Sequence, residues 1–207
     1  MVTDLTNWRP WLRRNGMTAR FLSGAKRGDP EGYFIRVHAV TENILRRVLL
    51  VGLRRNHVMY SDAVTWLQNN DFTPDRVNYP KIFDKLYGPT LTFNQVAGAA
   101  PMNDLWELWL DFSKIVRNHI SHGIRKYDEP WLQCAVHIDQ AFIIQLCAVL
   151  QPHVGGSLGQ DLRKLQPRLS LGKVGVSIPT LLGTKGKNPR PVASLQTASR
   201  KFAALGL

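Results

Sequence analysis

The sequence predicts an all-α protein, and three observations carry that prediction. Apolar residues recur at three- and four-residue steps through three long stretches, the repeat of an amphipathic helix. Each stretch is bracketed by residues that start or stop helices. Hydrophobic content of 44% with six Trp marks a chain that folds around a core. The expected architecture is a helical bundle with long antiparallel helices, a helical insertion and a basic C-terminal tail. With 207 residues one good core is affordable and two full domains are not. The divisions are an N-terminal helical extension over 1–30, a helical domain over 31–156 with an insertion at about 56–101, and a tail over 157–207.

In order along the chain, Asp4 is placed to cap a short helix carrying Trp8, Trp11 and Leu12 beside Arg9, Arg13 and Arg14. Pro10 falls in its first turns, where a missing N–H costs little. Such Arg–Trp interleaving can stack on nucleobases; equally, the two Trp can dock on the core while the Arg side chains stay solvated. Gly28-Asp29-Pro30 is a break.

The first long helix runs from Glu31 to Arg55, its stripe formed by Tyr33, Val37, Val40, Ile44, Val48 and Val51. His38, Glu42 and Arg46 follow at four-residue steps and can pair along it. For Glu42 two readings stand side by side: surface or half-buried pairing along the helix, or a place beside the active site orienting an Arg or His from the next long helix.

Residues 56–101 read as a partner- or substrate-facing insertion of short helices. One begins at a Ser61 cap and stops at Asn69-Asn70-Asp71, and another spans Pro80 to Tyr87 before Gly88-Pro89. Gly98-Ala99-Ala100-Pro101 is a hinge. Asn103 or Asp104 then caps the second long helix, whose apolar face is Leu105, Leu108, Trp109, Phe112, Ile115, Val116 and Ile120, with Gly123 as its C′ residue. Asp128 or Glu129 caps the third, Pro130 takes its first turn, and it runs from Trp131 to His153, ended by Pro152 and Gly155-Gly156.

The formal charge is +12, and such a surplus speaks of partners: nucleic acid first, an anionic surface or acidic protein second. Beyond Asp161 there is no acidic residue, and nine basic ones, Arg163, Lys164, Lys185, Lys187 and Arg190 among them, form a partly flexible tail. These five, with Arg125 and Lys126, are the expected nucleic-acid contacts. The tail also admits a purely solubilising role.

Cys134 and Cys147 sit thirteen residues apart on one helix, too far for a disulfide at about 1.5 Å per residue. That fits a reducing cytoplasm. The first ten residues lack a signal-peptide core. The longest uninterrupted apolar run, Val48 to Leu53, is too short to cross a bilayer. A cytoplasmic protein is expected.

The densest chemistry lies at the end of the second long helix, in Arg117-Asn118-His119-Ile120-Ser121-His122. Asn118 and His122 are four apart and share a face, as do Arg117 and Ser121; His119 and His122 are also neighbours. A helix C-terminus favours the charged form of His, and an imidazole can serve as general acid or base near neutrality. Arg117 offers a planar fork to two phosphate oxygens, and Asn118 adds donors and an acceptor. These groups suffice to cut RNA without a cofactor. A base removes the 2′-OH proton, the oxygen attacks phosphorus, Arg stabilises the pentavalent charge, and an acid protonates the leaving 5′-oxygen. A single His serves poorly as both acid and base, so a second chain's site nearby would help.

This stretch resembles the R-x4-6-H motif of the HEPN superfamily, in the form where Asn follows the Arg. The resemblance covers roughly residues 31–153. It implies an all-α bundle with the motif at the end of a long helix, and a homodimer whose two motifs make one composite ribonuclease site. It also implies catalytic roles for Arg117 and His122, with Asn118 as polar assistant; His119, Ser121, Glu42 and Tyr127 are expected as supporting groups. Toxins of toxin–antitoxin systems and abortive-infection proteins belong to this superfamily, so an antitoxin or other regulatory partner is implied as well. Where small toxins of the family carry H-x-Y, this chain has His122-Gly123-Ile124, and Tyr127 stands at a different spacing.

Other readings of the same stretch remain open. His and Arg can simply satisfy the last carbonyls of the helix. His119 and His122 can act as an H-x-x-H metal pair, given a third ligand. A non-catalytic basic module could bind RNA or a protein through the same groove, or the tail alone could carry function. Cys134 is expected as a core residue, His57, His137 and His153 as solvated or core-edge residues, and His38 as the helix neighbour of Glu42.

Overall fold

A computed structural model describes residues 28–69, 74–88, 91–158 and 191–207. The described residues form helices and no strand. Asp29 starts the first of them: its carboxylate accepts from the Gly32 N–H at 2.8 Å, Pro30 takes the first turn, and α1 runs Pro30–Arg55. Phe34, Val37, Ile44, Leu45, Val48 and Leu49 are buried along it, as the spacing requires.

Three short helices follow: α2 (Tyr60–Asn69), α3 (Asn78–Tyr87) and α4 (Phe93–Ala97). Ser61 is not a cap. It lies inside the first turn of α2, its hydroxyl turned to Asp62 at 3.4 Å. The described part of the 56–101 region packs on the core. Tyr79, Phe83, Tyr87 and Phe93 are core residues, and the Tyr79 and Tyr87 hydroxyls donate to the Leu45 and Val48 carbonyls of α1 at 3.1 and 2.6 Å. Gly52 permits this approach, because a Cβ there would meet Leu86 and Tyr87 atoms at 2.9 Å.

The second long helix is continuous but not uniform. It comprises α5 (Met102–Leu108), a π-helical segment Trp109–Ser113 and α6 (Lys114–Ser121). It starts one residue before the expected caps. Pro101 holds the N-cap position without a side-chain bond, leaving Asp104 to favour the positive helix end from within the first turn. Gly123 is the C′ residue, at φ +64, with Gly123 N–H donating to Ile120 and Ile124 N–H to His119, the paired bonds of a Schellman motif.

The third long helix, α7, spans Glu129–Leu158, and Pro130 does occupy its first turn. It runs past Pro152 and the Gly155-Gly156 pair that were expected to end it. Proline inside a helix removes one hydrogen bond without forbidding the next turn. Here Arg55 of α1 donates to the His153 carbonyl at 3.1 Å, anchoring that stretch from outside.

α1 and α7 run parallel, with Tyr33 meeting Gln140 near one end and Arg55 meeting His153 near the other. The middle helix returns antiparallel to α7: Trp106 and Trp109 stack on Phe142, Phe112 on Trp131. By length and composition alone, Glu129–His153 is long and apolar enough to cross a bilayer, although no uninterrupted apolar run is. In this fold its apolar face, from Leu132 to Leu150, is part of the core.

The end of the tail is ordered. Ser194 caps α8 (Leu195–Ala203), Ala198 is fully buried, and Ser199 donates to the Cys134 sulfur at 3.6 Å. The expected N-terminal helix, and Arg163, Lys164, Lys185, Lys187 and Arg190, lie outside the described residues.

Candidate active site

The last turns of α6 carry the motif, and the Schellman turn at Gly123 closes the helix directly behind it. Arg117 is part-buried. Its Nη2 stands 3.6 Å from Glu42 Oε2 on α1, and its Nη1 donates to Asn118 Oδ1 at 3.1 Å. The second reading of Glu42, as a residue that orients an Arg of the next long helix, therefore matches the geometry. Glu42 is only 12% exposed, so this ion pair is less screened than a surface one.

His122 is the C-cap residue of α6 and is exposed. Its backbone N–H closes on the Asn118 carbonyl at 3.0 Å, while its imidazole has no hydrogen-bond partner among the described residues. Ser121 is exposed beside it. His119 points elsewhere: Nδ1 lies 2.6 Å from the Tyr127 hydroxyl, and the two rings stack with an interplanar angle of 11°. Tyr127 is thus a support for His119 and not a neighbour shown against Arg117 or His122. Its phenol is held above the usual 10.0 by burial, with Arg125 pulling the other way.

Arg125 lies over the Tyr127 and Trp131 rings at 4.8 and 5.2 Å. Arg125 and the neighbouring Lys126 are both exposed residues of the segment that follows the motif. Among the described residues no cluster of three His, Cys, Asp or Glu is arranged to hold a metal ion, so His119 and His122 gain no third ligand there.

Two features next to the motif were not anticipated. Lys114, one turn before Arg117, donates to the Pro74 carbonyl. Burial pushes its ammonium below the ordinary 10.5, Asp75 and Glu42 oppose that shift, and Arg117 and Arg76 reinforce it. The second is a fully buried polar cluster. Asp139 of α7 accepts from Trp109 Nε1 at 2.7 Å, from Thr41 Oγ1 at 2.8 Å and from Ser113 Oγ, with His38 Nδ1 at 3.2 Å. His38 is consequently more than the helix neighbour of Glu42: its closer partner is Asp139, and its Nε2 lies 3.9 Å from Glu42 Oε1. One signal for this cluster was visible in the sequence, a lone acid at Asp139 among Ala135, Val136, Ile138 and Phe142.

A separate cleft of about 580 Å³ lies between α5 and the C-terminal segment, lined by Asp104, Glu107, Asp111 and Lys201 among others. Arg76 pairs with Glu107 and Asp111 at 2.5 and 2.9 Å beside it. Compared with protein-family models, with curated proteins and with solved structures, the chain matches none.

Proposed function

We propose that this chain is a metal-independent endoribonuclease of the HEPN type. In this reading His122 is the general acid or base, Arg117 stabilises the phosphate, and Asn118 assists. The observation that carries it is the arrangement of Arg117: a guanidinium backed by Glu42 and Asn118 at the end of α6, five residues before the exposed His122 at the same helix end. Such a cation can take phosphate oxygens without reorganising, and the imidazole can move a proton next to it.

A single His122 with no fixed partner is poorly supplied for both proton transfers, which supports two chains sharing one site as a homodimer. Single-stranded or looped RNA, whose 2′-OH can reach in-line geometry, is the substrate class. Arg125, Lys126 and the basic residues of the 157–190 region supply sequence-independent backbone contacts. A role in phage defence or a toxin system, with an antitoxin or regulatory partner in the cytoplasm, completes the reading.

The same unsupported imidazole favours a second reading, a non-catalytic basic module that binds RNA or a protein. The test is a matched pair of strands, RNA and its all-2′-deoxy counterpart. Binding of both with cleavage of RNA alone is the expected result; binding of both with cleavage of neither supports the module.

A further inference from the structure

We propose that Asp139, His38 and Glu42 form one chain of contacts that sets the position of Arg117, making His38 and Asp139 positioning residues. The inference rests on the ribonuclease reading of Arg117. It begins at Asp139, a fully buried carboxylate with donors from Trp109, Thr41 and Ser113 around it. With three donors already aimed at it, Asp139 acts as the acceptor of this cluster, so its remaining contact assigns a proton to His38 Nδ1. The ring is held in that pose by Trp109, which stacks on it at 5.2 Å and 10°, and by Phe34 at 5.8 Å. Trp109 and Ser113 are the first and last residues of the π-helical segment, so the irregular turn delivers two of the three other donors.

The opposite edge of the ring carries the consequence. His38 Nε2 is buried and has no hydrogen-bond partner, a costly condition inside a protein. It faces Glu42 Oε1 at 3.9 Å; with protons on both ring nitrogens the imidazolium donates to Asp139 at one edge, and a small movement of Glu42 lets Nε2–H donate to Oε1 at the other. Glu42 Oε2 faces Arg117. One carboxylate therefore has one oxygen turned to His38 and the other to the motif arginine. Once Oε1 accepts from the His38 Nε2–H, Glu42 cannot close on Arg117 with both oxygens, and the guanidinium fork stays available to phosphate. Packing alone does not call for this cluster, since apolar residues of similar volume fill a core at least as stably as a buried ionic group.

Asn and Gln replacements separate the two edges of the ring. Asn can keep a donor near Nδ1 for Asp139 but leaves nothing toward Glu42. The experiment measures single-turnover RNA cleavage and side-chain ¹⁵N NMR for wild type, His38→Asn, Glu42→Gln and the double variant, with thermal unfolding alongside. Expected for His38→Asn is a folded protein whose maximal cleavage rate falls about tenfold, with half-saturation changed by less than about twofold. The double variant should be no slower than the slower single variant, and the Arg117 Nε resonance should move in His38→Asn. An unchanged rate and an unmoved Arg117 resonance in folded His38→Asn, or fully multiplicative losses in the double variant, overturns the proposal. If His38→Asn does not fold, Glu42→Gln decides, because the His38 Nε2 resonance must move when its facing carboxylate is neutralised. If wild type cuts no RNA, the ribonuclease reading fails while the two resonances still decide the contact chain.

Discussion

Arg117 of α6 faces Glu42 of α1 across 3.6 Å, with Lys114 one turn away and Asn118 accepting from the same guanidinium. Arg117 is thereby held by a long-range partner at a helix end, and in the proposed ribonuclease its fork takes phosphate. Arg117→Lys keeps the charge and loses the planar fork. The account expects RNA cleavage to fall about a hundredfold, the scale of removing one preorganised donor to a developing negative charge. Steady-state cleavage of a fluorogenic RNA measures it, and near-native activity would mean that charge alone is needed.

Asp139 tests the buried cluster through stability. Asp139→Ala strands the Trp109 N–H, the Thr41 and Ser113 hydroxyls and His38 in a dry core. Breaking a buried charged network by deleting one member costs about 3 kcal/mol or more. Urea unfolding should show a midpoint lowered accordingly, and a loss under about 1 kcal/mol would show that water reaches these groups.

Two helix ends form a matched experiment. α1 ends as α6 does, with His57 N–H donating to Arg54 and Val58 N–H to Leu53, but its C′ residue is His57 at φ +63 where α6 has Gly123 at φ +64. A side chain in this left-handed conformation costs about 1 kcal/mol relative to glycine. His57→Gly should therefore stabilise, and Gly123→Ala should destabilise, each by about that amount. Thermal unfolding of both variants checks the pair, and shifts of the same sign would contradict the assignment.

Lys114 predicts a pH effect. Burial, reinforced by Arg117 and Arg76 and opposed by Asp75 and Glu42, holds its folded pKa below the ordinary 10.5. Between the lowered folded value and 10.5 the unfolded chain binds more protons than the folded one, so stability rises with pH across that window. Below the window the full penalty of burying the charge is present. Denaturant unfolding over a pH series should show this climb in wild type and a shallower one in Lys114→Met. Parallel profiles would contradict it.

The legible parts of the fold were those written in local spacing. Glu31 to Arg55 carried its stripe on one face, and Gly123 stood where a helix must turn left-handed, so both were readable without tertiary contacts. The 56–101 region was harder because Tyr79 and Tyr87 bond Leu45 and Val48 of α1, and Tyr79 packs on Trp106, all more than twenty positions away, leaving only weak short-range periodicity. Pro152 misled for a similar reason, since Arg55 lies 98 positions from the carbonyl it holds. Arg117, Asn118 and His122, the residues of the candidate site, were legible as a group because their spacing lies within one helix and its cap. The polar cluster was not, because His38, Ser113 and Asp139 meet only once three helices have packed.

The most direct measurement of the central claim is RNA cleavage by purified protein in excess EDTA, wild type beside His122→Ala, with the product ends identified. The account predicts cleavage by wild type alone, leaving a 2′,3′-cyclic phosphate on one fragment and a 5′-OH on the other. Equal cleavage by the two proteins, or 3′-OH and 5′-phosphate ends, would contradict the assignment of His122 and the 2′-OH mechanism.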